Sequence, residues 1–115
     1  MELKELNLSR CHQVSQRIAV RRRGLTKVRF WFSQLSKQGI EKLVANCPAL
    51  EYLDLSECPN INDCCVELIA QNLKRLSTLK LANCPLVSEV GLSYLSEHCK
   101  NLKVRIVNAH VDIEH

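Results

Sequence analysis

The sequence predicts an α/β fold, a solenoid arc of about four strand–helix units, with a parallel sheet on the concave face and helices on the convex face. Three observations lead there. A five-point apolar pattern recurs along the chain. Its first half has the spacing of a strand and its second half that of a helix. Small polar residues of the kind that cap helices stand between the halves.

The pattern is plainest in LEYLDLSECPNIND, residues 50 to 63, where Leu50, Leu53, Leu55, Cys58 and Ile61 fall at offsets 0, 3, 5, 8 and 11. Leu76, Leu79, Leu81, Cys84 and Val87 repeat those offsets, as do Leu3, Leu6, Leu8, Cys11 and Val14. A worn copy has Leu25, Val28 and Phe30, with Ser33 in place of the cysteine; its spacing to Gly39 is one residue short, as a loop deletion would leave it. Units therefore start at Leu3, Leu25, Leu50 and Leu76, with a partial one from Leu102, in steps of 22, 25, 26 and 26 residues.

Each half of the unit follows from side-chain direction. In Leu53-Asp54-Leu55 both leucines point to one face of a short strand and the residue between them to the other. Val66, Ile69, Ala70 and Leu73 then recur at helical spacing, as do Ile40, Leu43, Val44 and Cys47, while Leu92, Leu95 and Cys99 keep most of the pattern. Ser15, Ser36, Asn62 and Ser88 precede these runs as expected N-caps. Such units cannot bury their own apolar face and must stack. Stacking forms two cysteine columns: Cys11, Cys58 and Cys84 in the loop leaving the strand, and Cys47 and Cys99 at the helix ends, with Leu73 equivalent. Cysteine suits both places, being small, apolar and a weak donor. These five are expected buried, and Cys64 the most accessible.

LEYLDLSECPNINDCCVELIAQNL, LSTLKLANCPLVSEVGLSYLSEHCKNL and the half-unit KQGIEKLVANCPAL resemble the cysteine-containing leucine-rich repeats of F-box/LRR proteins and of related proteins without an F-box. The resemblance covers essentially all of residues 1–115, which read as a single leucine-rich-repeat domain. It implies a protein-interaction module like the substrate-recognition region of an SCF-type E3 ubiquitin ligase. Contact with adaptor and cullin would pass through an F-box that this chain lacks. The alternative is an LRR scaffold or regulator without ubiquitin transfer. The first unit departs from the pattern: VSQRIAVRRRGL is about four residues short, with Arg22 where a buried Cys or Leu belongs. Residues 15 to 24 are thus expected to be the weakest segment. A strand begins close to Met1 with no capping segment, so the chain is expected to be a piece of a longer protein.

Composition narrows the classes. A formal net charge of +4 is mildly basic and by itself no nucleic-acid signature. No stretch approaches the ~18 apolar residues of a membrane span, and no basic-then-apolar leader opens the chain. The seven cysteines are odd in number and five fall on positions that stacking would bury, which argues against a disulfide framework and for the cytoplasm or nucleus.

Candidate chemistry is sparse. Cys64-Cys65 has no C-x-x-C partner, and Cys65 stands where Gly39 and Gly91 stand in neighbouring units. His98-Cys99 with His110 and His115 lacks the ligand spacing of a zinc site, and the pair Cys11-His12 involves a cysteine of the stacked column. No phosphate-loop, dinucleotide or nucleophile-elbow pattern occurs. Neither an enzyme nor a cofactor is expected. The run Arg21 to Arg23 lacks interleaved aromatics for base stacking, so nucleic acid is not the expected partner.

The strand residues pointing away from the core form three columns: Glu5, Lys27, Tyr52, Thr78; then Asn7, Arg29, Asp54, Lys80; then Ser9, Trp31, Ser56, Ala82. Their charges alternate in sign and could neutralise one another across strands. The sharper expectation is a protein partner on the concave face, bound by Arg29, Trp31, Tyr52, Asp54 and Lys80, because aromatics and arginine dominate interfaces. Val28 and Phe30 pointing inward would turn Trp31 outward, near Arg29 and Tyr52. A register slip after Ser33 would instead bury Trp31 and expose Phe30 and Phe32.

Overall fold

The computed structural model describes residues 3–11, 13–107 and 110–113. Strands and helices alternate: β1 (Glu5–Asn7), α1 (Val14–Arg17), β2 (Lys27–Arg29), α2 (Lys37–Asn46), β3 (Tyr52–Asp54), α3 (Asp63–Asn72), β4 (Thr78–Leu81), α4 (Glu89–His98), β5 (Val104–Val107) and β6 (His110–Ile113). The strands form one sheet in chain order, parallel from β1 to β5, with β6 antiparallel to β5. Parallel neighbours joined through helices cross over right-handedly, which places the helices on one side of the sheet.

The register matches the apolar offsets. Leu6, Val28, Leu53 and Leu79 pair across β1 to β4, flanked by the columns headed by Glu5 and Asn7. Val28, Leu53 and Leu79 are fully buried, as are Phe30, Leu55 and Leu81, and α2 and α3 add Ile40, Leu43, Val66, Ile69 and Ala70 to the same core. Cys47, Leu73 and Cys99 end α2, α3 and α4, each donating its backbone N–H to the carbonyl four residues back. The α3 start is capped by Asn62, whose side chain accepts from Cys65 N at 3.0 Å, and the α4 start by Ser88, which accepts from Val90 N at 3.2 Å.

Among the described residues four carry a left-handed backbone, and they are equivalent: Arg10 (φ 59°), Phe32 (59°), Glu57 (58°) and Asn83 (57°). Each lies two residues beyond the last inward apolar residue of its strand, where the chain must leave the sheet and turn over the core. The turn is held by a repeated bond: Arg10 N to Trp31 O, Phe32 N to Ser56 O and Glu57 N to Ala82 O, at 3.0, 3.0 and 2.8 Å. Immediately after it, the thiol of Cys58 donates to Phe30 O and that of Cys84 to Leu55 O, both at 3.0 Å. The donor reaches back to the preceding turn, which accounts for a cysteine at this offset. Ser33 takes the place in its own turn, buried and 3.5 Å from Cys58 Sγ.

Two expectations need correction. Cys11 is only partly buried, because among the described residues no turn packs on its outer side. Ser15 lies inside α1 rather than before it; α1 starts at Val14 after Gln13, which makes no side-chain cap. The first unit spans 22 residues from Leu3 to Leu25, against 25 and 26 in the next two, which leaves room for one helical turn, begun early. Beyond Leu102, β5 adds in parallel to β4, and β6 pairs antiparallel to β5.

Arg22 occupies its expected place without being driven into the core. Its backbone N–H donates to Asn46 O at 2.8 Å, and its guanidinium Nη1 to Arg17 O at 2.7 Å, at the end of α1. Asn46 completes the tie by donating to Ile18 O at 3.0 Å. A cation at a helix C-terminus also meets the negative end of the helix dipole.

Candidate functional site

Arg29, Tyr52, Asp54 and Lys80 take outward positions of the strands, Trp31 lies just beyond β2 where the chain leaves the sheet, and all five are half-buried. The strand alternation that sends Leu53 inward sends Tyr52 and Asp54 outward, and pairing aligns Tyr52 with Lys27 and Thr78, and Asp54 with Arg29 and Lys80. Tyr52 is the centre of one cluster. Lys27 Nζ stands 4.5 Å from its ring centroid, Arg29 Cζ 5.3 Å and Lys80 Nζ 5.3 Å. Cations on an aromatic face are attracted by its quadrupole.

Alternating signs do not lead to general neutralisation. Lys27 pairs with Glu5 at 3.4 Å. Among the described residues, Arg29, Asp54 and Lys80 form no ion pair. Asp54 Oδ1 instead accepts from Ser56 N at 2.9 Å, an Asx-type turn that starts the exit from β3. Asn7 does the same for Ser9 N at 3.0 Å in the first unit.

Trp31 belongs to a second cluster. Its Nε1–H donates to Glu57 Oε2 at 2.9 Å, the Arg10 guanidinium lies 4.8 Å from its ring centroid, and the Phe32 ring is 5.7 Å away and tilted by 40°. Arg29 thus sits with Tyr52, and the contacts of Trp31 are Arg10, Phe32 and Glu57. Phe30 is fully buried, so no register slip has occurred, yet Phe32 is 55% exposed. It escapes the core through its left-handed backbone rather than through strand alternation. Clefts flank it on both sides: one of about 380 Å³ against Arg10, Cys11 and Gln34, the other of about 260 Å³ against Gln34, Glu57, Pro59, Asn83 and Pro85.

Arg10, Phe32 and Glu57 are the residues that sequence reasoning missed. A signal was present: they align with Asn83, and Asn is enriched where the backbone is left-handed. A column containing Asn at a fixed offset marks the turn, and residues there do not follow the alternation of the strand.

Other candidates stay apart. Cys64 is exposed and Cys65 buried, on different sides of α3. All seven cysteines are free thiols. Burial pushes the thiols of Cys47, Cys58, Cys65 and Cys99 above their ordinary range and that of Cys84 up to about 11. They are therefore protonated donors and poor nucleophiles. Among the described residues no group of three or more His, Cys, Asp or Glu side chains could hold a metal ion. His12, His115 and the side chain of His110 lie outside the described residues. No described helix is long and apolar enough to cross a membrane.

Comparison with protein-family models matches no family to the chain, and comparison with curated proteins finds no similar sequence.

Proposed function

We propose that the chain is a leucine-rich-repeat arc that acts as a protein-interaction module, docking a protein partner on its exposed sheet face. Five parallel strands in chain order, the left-handed residue at four equivalent turns and the thiol-to-carbonyl bond of Cys58 and Cys84 support the repeat reading. The observation that carries the docking role is the pair of half-exposed aromatics, Tyr52 beside three cations on the sheet and Trp31 beside Arg10 where the chain leaves it. Aromatic and arginine side chains held in place lose little entropy on binding and are enriched at interface hot spots. The binding set is Arg29, Trp31, Tyr52, Asp54 and Lys80, widened by Arg10 and Phe32.

The module needs no cofactor and performs no chemistry of its own. The protonated, buried thiols support a reducing setting, cytoplasm or nucleus. By its resemblance to F-box/LRR proteins, the arc would present a protein substrate for ubiquitin transfer, with the adaptor–cullin contact made elsewhere in a parent chain. An LRR scaffold without ubiquitin transfer is the alternative; an F-box helical segment encoded upstream of Met1 separates the two. To test the face, a photo-crosslinking amino acid is placed at Tyr52 or, as a control, at Lys42 on α2, in the full chain in cells. Protein adducts are expected at Tyr52 well in excess of those at Lys42. Equal or reversed yields would remove the sheet face as the docking surface.

A further inference from the structure

We infer that the partner presents an extended acidic segment, whose carboxylates are received by Arg29 and Lys80 above the Tyr52 ring. The inference rests on the docking role of the sheet face and adds the chemistry of what docks there. Three cations converge on one ring, and among the described residues only Lys27 has an anion, Glu5 at 3.4 Å. Arg29 and Lys80 have no ion-pair partner among the described residues, although Asp54 stands between them in the strand register. Asp54 is turned to its own loop, accepting from Ser56 N. The face therefore holds two half-buried positive charges whose natural neighbour is engaged elsewhere, and an incoming anion completes them.

The spacing favours a chain over a single small anion. Arg29 and Lys80 are on the strands flanking β3, roughly 10 Å apart at the backbone. An extended segment crossing the strands repeats its same-side residues every ~6.6–7 Å. Carboxylates two residues apart, with side-chain reach, meet both cations, while the stretch between them lies on Tyr52. Half-burial of the cations against an aromatic ring weakens their screening by water, so each contact counts for more than at an open surface.

The test is a fluorescence-anisotropy titration of the purified full chain with three labelled decapeptides: alternating Glu and Ser, the same with Gln for Glu, and the same with one phosphoserine and no Glu. The Glu peptide is expected to bind saturably and the Gln peptide at least about tenfold more weakly, with the difference shrinking as salt shortens the screening length. The double variant Arg29→Ala/Lys80→Ala is expected to lose roughly tenfold in affinity for the Glu peptide. Lys42→Ala, removing an exposed charge on α2, is expected to lose none. Circular dichroism checks that the variants keep their fold. Equal binding of Glu and Gln peptides, no saturable binding, or equal losses in the double variant and Lys42→Ala would overturn the inference. So would a phosphopeptide bound more than tenfold tighter than the Glu peptide, since the face would then read phosphate. Crosslinking at Tyr52 with no preference for the Glu peptide would leave the docking face standing and the acidic partner wrong.

Discussion

α1 and α3 hold equivalent places in their units, yet one is a single turn of four residues and the other runs for ten. α3 begins with a side-chain cap at Asn62 and an acidic first turn; α1 begins after Gln13 with neither. The strands differ in the same direction. Leu79 in β4 is fully buried, whereas Leu6, in the same column, is only partly covered and Leu3 is 47% exposed. Among the described residues, a middle unit has neighbours on both sides, while the first has one. The first unit also has fewer residues in which to return to the sheet, so it substitutes backbone ties through Arg22 and Asn46 for a longer apolar helix. Stability is therefore expected to rise from the first unit toward the third and fourth.

The sharpest way to break this comparison is to delete the same side chain in both places. Leu79→Ala is expected to cost about 2–5 kcal/mol and Leu6→Ala less than half as much, read from urea midpoints at constant m-value. Equal losses would mean that the first strand is as well packed as the fourth.

The junction between α3 and α4 provides a pH test. Asp63 Oδ1 accepts from Ser88 N at 2.8 Å, and its Oδ2 accepts from the Ser88 hydroxyl. Burial alone would raise its pKa, but these bonds and one from Gly91 N outweigh it and hold the carboxyl below its ordinary 3.8. A folded-state pKa below the unfolded one contributes stability above the unfolded value, lost as pH falls through the folded value. Wild-type melting temperature is expected to drop below about pH 4, and Asp63→Asn to flatten that limb and cost about 1–2 kcal/mol at neutral pH. An unchanged acid limb would show that the junction does not depend on this carboxylate. Gly91 belongs to the same contact: a Cβ there would come within 2.4 Å of Asp63 Oδ1.

Capping offers a smaller contrast. Asn62→Ala is expected to cost about 1 kcal/mol and Gln13→Ala to stay within about 0.5 kcal/mol of wild type. A Gln13 effect as large as that of Asn62 would give α1 a cap that its geometry lacks. The least perturbing probe is thiol labelling without denaturant at neutral pH. Cys64 is expected to react first and Cys11 next, with Cys47, Cys58, Cys65, Cys84 and Cys99 released only on unfolding. Rapid reaction of Cys58 or Cys84 would contradict the packed turn, and native disulfides found by mass spectrometry would contradict the free thiols.

The sequence by itself determined what repeats locally. Apolar residues at offsets 3 and 5 must share a strand face, so the pairing of Leu6, Val28, Leu53 and Leu79 and the outward columns of Tyr52 and Asp54 were legible, as were the helix ends at Cys47, Leu73 and Cys99. Those features rest on side-chain period and on burial, and both can be counted along a chain. Tertiary structure alone decided what depends on a neighbour in space. Phe32 faces out because its turn bonds to Ser56 in the next unit, and Trp31 leaves Tyr52 for Arg10 and Glu57 because those turns stack beside it. Cys11 is half-covered because, among the described residues, no turn packs on its outer side, and Asp63 reaches across to Ser88, 25 positions along the chain. Such contacts are chosen among groups that the fold brings together after the period has done its part. The charges on the sheet follow the same rule: their alternation was visible in the sequence, but only packing set Arg29 and Lys80 over an aromatic ring and turned Asp54 away.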